Sequence, residues 1–379
     1  MNKAKMNRNK FFLLSLASVL ALVCGYFVAE ADTSAAVEKK TNNAEMQAAV
    51  AAASDFLNSL GPAQREKVQF PLTSQKTATA AKFKGGMNGR MTFVGEKYGQ
   101  AVWSNFPVSD VPRPGLTLGS LNAAQRHAAM QVLQVLLSPK GYQKVLDIMG
   151  SDQALSESGT PFSSGAAYYT IGIFGTPSAR TPWMLQFGGH HLALNITMWG
   201  EHGALTPTLT GAQPAVYRSN GKTVRALAQE SDKAFALLHA LDDAQRKQAI
   251  LNYRVNDLVL GPGHDGESIQ PEGLKAAAMN QQQQRMLLDL ISEWAEILHD
   301  AYAIPRMAQI KAGIVDTYFA WSGPTAHEPG KNGAAYYRIQ GPKLVIEFAP
   351  QGVGGDPTMH VHTIYRDPTN DYGRGLGAQ

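Results

Sequence analysis

Two histidines separated by one residue carry the clearest chemical signal in this sequence. His360, Val361 and His362 lie within residues 359–365, whose apolar and β-branched side chains predict a β-strand. Side chains two positions apart on a strand point to the same face, with Cα atoms roughly 7 Å apart. Two imidazoles placed in this way can bind one metal ion, so the pair predicts a metal site. A strand pair that binds no metal is the alternative interpretation.

A second pair, His190 and His191, follows two glycines far upstream. Adjacent side chains on a regular strand face opposite ways, so we expect only one of these rings to share a metal with His360 and His362. The glycines permit a bulge or a close backbone approach that re-aims one ring. Both histidines therefore stay candidates, and a hairpin turn with one solvated histidine is the alternative.

Two further residues are candidates for catalysis. Glu347 ends the apolar run 344–346, and we expect it to act as a ligand or as a general base. His264 lies in the glycine-rich loop 261–267, where it would act as a ligand or general acid–base oriented by Asp265. The alternatives are an exposed edge glutamate and an ordinary surface turn.

The N-terminal residues predict export. Basic residues precede the mostly apolar stretch 11–28, and small residues at positions 29 and 31 resemble a cleavage site, which predicts a signal peptide over residues 1–31. The protein is then periplasmic or secreted; an uncleaved membrane anchor is the alternative. Cleavage would remove Cys24, the one cysteine of the chain. The mature protein would hold a metal through His, Asp or Glu.

Composition narrows the classes of partner. The formal charge of the chain is +4, and residues 1–31 supply +3 of it, so the mature chain is nearly neutral. No cluster of lysine and arginine follows residue 31, which argues against nucleic-acid binding. No second apolar run is long enough for a membrane span, and no nucleotide-binding glycine motif accompanies a strand. We predict a small-molecule substrate or ligand, with no prediction of oligomeric state.

The elements that position these residues follow one plan twice. Residues 56–65 and 235–246 each predict a short helix, a polar turn and an Ala-Gln-Arg sequence that opens another helix. Amphipathic helices are predicted over 121–137 and 274–299, and a hairpin ends each copy. Helices with hairpins and no βαβ alternation are typical of the α+β class.

We therefore predict a flexible leader over residues 32–45 and one domain over 46–379. The domain would contain two degenerate halves, about 46–205 and 228–379, packed about a pseudo-two-fold axis. In this alignment Gly189 falls opposite Gly341 and Asn195 opposite Glu347. The extension after residue 347, which carries the His-x-His strand, is expected to lack a counterpart in the first half.

Three runs together resemble a known family. They are Trp-x-Leu-Gln-Phe-Gly-Gly-His-His-Leu-Ala-Leu-Asn (183–195), the loop Gly-Pro-Gly-His-Asp-Gly (261–266) and the tail His-Val-His-Thr-Ile-Tyr-Arg-Asp (360–367). The chain resembles the DUF3500 family of exported bacterial proteins of unknown function. The resemblance spans most of the mature chain and implies one structural unit, but it implies no reaction.

These observations predict an exported metal-dependent enzyme, hydrolytic, with a divalent metal held by histidine and carboxylate groups. Zinc is favoured and copper is possible, because histidine suits both metals. A copper-dependent oxidase or oxygenase is the nearest alternative. A periplasmic metal- or ligand-binding protein without turnover is another, and a structural module with incidental histidines is the last.

Overall fold

A computed structural model describes residues 43–86, 88–162 and 164–376 of the protein. The predicted signal peptide (1–31) and all but the last three residues of the predicted leader lie outside these residues. Residues 43–45 already belong to a helix, so the helical chain begins before the expected end of the leader. Within the described residues, none of the helices combines the length and the apolar character that a membrane span requires.

A large, mostly antiparallel sheet forms the centre of the protein. In chain order the strands are β1 (Gln69–Phe70), β2 (Thr79–Gly85), β3 (Met91–Tyr98), β4 (Ala101–Trp103), β5 (Leu116–Thr117), β6 (Thr170–Phe174), β7 (Trp183–Gly189), β8 (Leu192–Trp199), β9 (His202–Ala212), β10 (Val216–Ser219), β11 (Lys222–Arg225), β12 (Leu274–Lys275), β13 (Tyr318–Ser322), β14 (Tyr336–Gly341), β15 (Leu344–Pro350) and β16 (Val361–Arg366). Eleven of them form one sheet in the spatial order β1-β6-β7-β8-β9-β16-β15-β14-β13-β12, with β5 also paired to β6. Among the strands of the described residues, β1 and β6 alone pair in parallel. The predicted mixed α and β architecture is confirmed.

The helices lie between groups of strands. They are α1 (43–58), α2 (Pro62–Arg65), α3 (Ala123–Leu136), α4 (Pro139–Glu157), α5 (Ala228–Ala240), α6 (Asp243–Ala249), α7 (Gln281–Ala295) and α8 (Asp300–Ala312). The amphipathic helix predicted over 274–299 is shorter than expected and begins at Gln281. The Asn280 side chain accepts a hydrogen bond from the Gln283 N–H and caps this end. Residues 274–275 pair as β12 instead.

The helices pack on one face of the central sheet. Alternate residues of β7, namely Trp183, Leu185 and Phe187, belong to the same buried cluster as Leu133 of α3 and Leu290 of α7. The residues between them point to the opposite face, because strand side chains alternate. On that second face the small sheet β2-β3-β4 and the segment around residues 258–260 cover the strands.

Strands β9 and β16 pair at the middle of the large sheet. His362 of β16 lies opposite Gly211 of β9, and Thr363 lies opposite Thr210. Moving outward from this pair, strand numbers decrease on both sides, from β9 to β6 on one side and from β16 to β13 on the other. This central pair positions the candidate site.

Candidate metal centre

The His-x-His segment enters the central strand β16. His360 immediately precedes β16 and His362 is its second residue, so the predicted strand is confirmed. Ile364, two residues further on, packs in the buried cluster on the sheet face opposite the helices. His362 shares that face because strand side chains alternate.

The second pair of histidines forms the turn between β7 and β8. Gly189 pairs with Leu192, so His190 and His191 connect the two strands directly. His191 has a φ of 63°, which is uncommon for a residue with a side chain. Its N–H donates a hydrogen bond of 2.9 Å to the Asn105 carbonyl, which helps to hold this conformation.

A glycine on the neighbouring strand leaves room for His191. A Cβ atom added to Gly211 of β9 would lie 3.3 Å from the His191 Cβ and 2.7 Å from the Val361 carbonyl oxygen. Any larger residue at this position would therefore push the hairpin turn away from β16. The close approach of turn and strand brings His191 to the His-x-His pair.

Three imidazole nitrogens converge where the turn meets the strand. The His360 Nε2 atom lies 3.0 Å from His191 Nε2 and 3.1 Å from His362 Nε2. One ligand nitrogen from each of these three buried residues lies within 4.8 Å of the others. We call His191, His360 and His362 the histidine triad.

Hydrogen bonds among the three rings cannot satisfy all of the triad nitrogens. The His360 Nδ1 atom lies 2.8 Å from the Val353 carbonyl oxygen, which can only accept, so Nδ1 carries the proton. The Nε2 atom of the neutral ring then has one lone pair, which faces two neighbouring nitrogens. A metal ion would accept a lone pair from each ring, which resolves the conflict.

The environment keeps His191 and His360 in the neutral form that binds metals. Burial lowers the pKa of His191 well below its usual value, and the neighbouring rings of His190 and His362 lower it further. Burial also lowers the pKa of His360 to about 4, with a further contribution from His362. Both rings are therefore neutral at physiological pH, as a metal-binding imidazole must be.

Asn105 links the two parts of the triad. Its backbone carbonyl accepts the His191 N–H, and its Nδ2 atom lies 3.1 Å from His362 Nε2. The Arg113 guanidinium bonds to the Ser104 carbonyl at 2.6 Å and to the Gly189 carbonyl at 3.1 Å. These bonds join the segment of Asn105 to the β7–β8 turn.

The Asp257 carboxylate lies near the Nδ1 side of the His362 ring. The Asp257 Oδ1 atom lies 3.7 Å from His362 Nδ1. The same oxygen accepts hydrogen bonds from Gln351 Nε2 at 2.9 Å and from the Leu258 N–H at 2.7 Å. At 3.7 Å the carboxylate is beyond hydrogen-bond distance of the ring, but it places a negative charge beside His362.

His190 is not one of the three residues whose ligand nitrogens converge, so its assignment as a metal ligand stays a prediction. Its Nδ1 atom lies 2.9 Å from Asp152 Oδ1 on α4, and its ring stacks on His191 with centroids 3.6 Å apart. The turn sends the two adjacent side chains to different partners, as expected. His190 therefore packs against the His191 ring and helps to fix its orientation.

Glu347 also lies apart from the triad. It is absent from the histidine cluster and from the described lining of the cavity next to it. Its carboxylate accepts hydrogen bonds from the N–H groups of Val259 and Leu260, at 2.9 and 2.8 Å, and from the Tyr336 hydroxyl. Burial raises the pKa of this carboxyl, while these hydrogen bonds oppose the shift. These contacts give Glu347 a structural role away from the triad, and its catalytic role stays a prediction.

His264 lies at the edge of the site. Its Nδ1 atom lies 2.8 Å from Glu267 Oε2, and its side chain is 44% exposed. Asp265 does not orient it, because the Asp265 carboxylate binds the Arg374 guanidinium and the Ala78 N–H. The triad, His190 and His264 all line one cavity of about 700 Å³. A metal held by the triad would thus face a space large enough for a small molecule.

Sequence reasoning missed Asn105, Asp152 and Asp257. Each is a single polar residue within a helix or an irregular segment, without a repeat or a spacing that marks it. Asn105 stands 257 positions from the histidine that it contacts. The local signal that could have drawn attention to Asn105 is its position in a loop after β4, two residues before Pro107.

The chain matches a family described as "Protein of unknown function (DUF3500)" over residues 88–374. All the residues of the triad lie within this range. No curated protein and no solved structure matches the chain.

Proposed function

The chain belongs to the DUF3500 family, and because that family carries no described activity, we propose a function from the site itself. We propose that the protein is an exported metal-dependent enzyme, hydrolytic, whose metal is bound by His191, His360 and His362. The observation that carries this proposal is the convergence of three imidazole nitrogens on the wall of a cavity. The basic and apolar N-terminal segment supports export.

Two of the three nitrogen separations suit a metal ion. Zinc lies about 2.0–2.1 Å from a histidine nitrogen, so two ligands at angles between 90° and tetrahedral lie roughly 2.9–3.3 Å apart. The separations of 3.0 Å and 3.1 Å at His360 fall in this range. Three protein ligands with a fourth position open to a cavity are typical of catalytic zinc sites.

The proposed reaction is the hydrolysis of an ester or amide. The metal would supply an activated water and polarise the substrate carbonyl. The water oxygen forms a bond to the acyl carbon, the bond from that carbon to the leaving oxygen or nitrogen breaks, and the proton lost by water passes to the leaving group. We assign proton transfer to His264, which lines the cavity, and no longer to Glu347.

Copper chemistry is the second candidate. Ligands that are all histidine nitrogens suit copper as well as zinc, and the triad contains no carboxylate. A copper-dependent oxidase or oxygenase would use the same cavity. The identity of the bound metal separates the two proposals.

Elemental analysis of the mature protein, purified without an affinity tag, tests the proposal. We expect near-stoichiometric metal in the native protein, loss of metal in His362→Ala, and unchanged metal in the matched control His127→Ala, whose histidine lies exposed on α3. Circular dichroism establishes that each variant is folded. Equal metal content in His362→Ala and native protein would overturn the site.

The metal directs the next assay. Zinc leads to ester and amide substrates, with turnover lost on chelation and restored by zinc. Copper leads to oxidative assays. Bound metal without turnover on either class of substrate would favour the metal- or ligand-binding protein over the enzyme.

We also propose that the two halves are degenerate copies packed about a pseudo-two-fold axis. Asn122 and Asn280 cap α3 and α7 in the same way. The glutamine three residues after each cap donates to a carbonyl at the end of an earlier helix, Gln125 to Ser59 after α1 and Gln283 to Ala240 of α5. The antiparallel β9–β16 pair would lie on the axis. In this arrangement β9, which extends beyond the predicted end of the first half near residue 205, is the counterpart of β16. It has Thr210 and Thr208 where β16 has Thr363 and Tyr365 opposite them. An experimental structure whose halves superpose with these caps out of register would contradict the duplication.

A further inference from the structure

We propose that the cavity beside the histidine triad binds a neutral, mainly aromatic or aliphatic molecule and rejects anions. This inference rests on the proposed function, because it treats the cavity as the substrate site of that enzyme. It follows from the wall, the mouth and the charge of the cavity. Each of these is a separate observation.

Aromatic rings form much of the wall. Phe93 of β3 and Phe106 meet edge to face, with centroids 4.8 Å apart. Phe162 meets the His190 ring edge to face at 5.2 Å. All of these phenylalanines are half-buried and line the cavity. Their exposed ring surface offers stacking and apolar contact to a ligand.

Apolar side chains also mark the mouth of the cavity. Val353 is 73% exposed and Met91 is 60% exposed, and both line the cavity. Large apolar side chains that cluster at the rim of a concave space are typical of ligand sites. Ile304 on α8 is similarly exposed, at 64%, but lies outside the cavity lining. It therefore provides a matched control.

The charges of the cavity oppose an anionic ligand. Among the described residues that line it, none is a lysine or an arginine, whereas Asp110 and Asp257 both contribute carboxylates. The Asp110 carboxylate accepts the Gly86 N–H at 2.7 Å, which fixes it at the wall. In the metal-free protein, a phosphate or carboxylate entering this space would lose its hydration without meeting a lysine or arginine. The expected substrate is an uncharged ester or amide with an aromatic or alkyl group.

The volume sets the size of the ligand. Pockets for drug-sized molecules span roughly 300–1,000 Å³, and this cavity measures about 700 Å³. A two-ring aromatic compound fits well within it. The naphthalene skeleton is therefore a suitable probe.

Calorimetric titration with two matched probes tests the inference. The neutral probe is 2-acetylnaphthalene, which cannot be hydrolysed, and the anionic probe is 2-naphthoate, which has nearly the same shape. Both are titrated into the mature protein with metal and after chelation. In the metal-free protein we expect the neutral probe to bind about tenfold more tightly than the anionic probe, since burying an unpaired charge is costly.

Variants locate the binding. Phe106→Ala should weaken 2-acetylnaphthalene roughly five- to tenfold, because it removes an aromatic contact. Val353→Ser at the mouth should also weaken it, while Ile304→Ser should not. Both serine variants alter exposed residues, so they test the site even if Phe106→Ala fails to fold.

The outcomes separate the two proposals. Tighter binding of the neutral probe by a protein that contains no metal as purified and takes up none when metal is added would support the cavity inference and refute the metal site. Tighter binding of 2-naphthoate in the metal-free protein, or equal loss in Val353→Ser and Ile304→Ser, would overturn the cavity inference. Failure of both probes to bind at millimolar concentration would overturn it as well.

Discussion

Replacing Glu347 by glutamine tests whether this residue supports the fold or takes part in catalysis. One carboxylate oxygen accepts the Leu260 N–H, and the other accepts the Val259 N–H and the Tyr336 hydroxyl. A glutamine amide has only one acceptor oxygen. Even in the better orientation, the buried Leu260 N–H faces an NH₂ group and loses its partner.

The expected cost follows from this lost acceptor. A buried donor left without a partner, together with the loss of charge-assisted bonds, costs about 2–4 kcal/mol of unfolding free energy. For a large domain this lowers the melting temperature by about 4–8 °C, at about 2 °C per kcal/mol. Metal content measured well below the melting temperature should not change, because the geometry places Glu347 outside the triad.

Calorimetric melting and elemental analysis of Glu347→Gln provide the two readouts. Glu267→Gln is the control, since that side chain is 60% exposed and its replacement should cost below about 0.5 kcal/mol. A Glu347→Gln protein that melts like the native protein but has lost its metal would refute the structural role. That result would instead indicate that Glu347 is a metal ligand.

Further measurements address the turn and the tail. His191→Gln should lose its metal and His190→Gln should keep it, because His190 Nδ1 faces Asp152; equal metal content in the two variants would contradict this assignment. Gly188→Ala should destabilise the protein by about 3 kcal/mol in chemical unfolding, since its Cβ would lie 2.2 Å from the Leu192 carbonyl oxygen. Burial raises the pKa of Asp371 to about 7 against the pull of Arg366, so the folded state binds this proton more tightly than the unfolded state. Stability should fall as pH rises from about 4 to about 7, and Asp371→Asn should flatten that slope; an unchanged slope would argue against the raised pKa.

Local chemistry made much of the architecture predictable. The period of two in His360-Val361-His362 indicates a shared strand face, and strand geometry alone requires it. Asn122 and Asn280, each followed by glutamine three residues later, mark the starts of α3 and α7. The apolar pattern from residue 274 onward predicts a helix start that is too early. Residues 274–275 belong to the sheet instead, because they pair with β13.

Contacts between distant segments decided the site. Both His190 and His191 follow the same glycines, and only the approach of the turn to β16 selects His191, which meets a partner 169 positions away. Glu347 has the sequence features of a catalytic carboxylate, yet the segment at residues 259–260 takes both of its oxygens.

The sequence by itself therefore determined which residue types are present, which strand face the His-x-His pair shares, and the family of the chain. Tertiary structure alone decided which nitrogens converge, which carboxylates are already engaged, and that an aromatic cavity adjoins the triad. The physical reason is one of range. Backbone periodicity and capping act over a few residues, whereas a metal site needs side chains from distant segments within a few ångströms of one another.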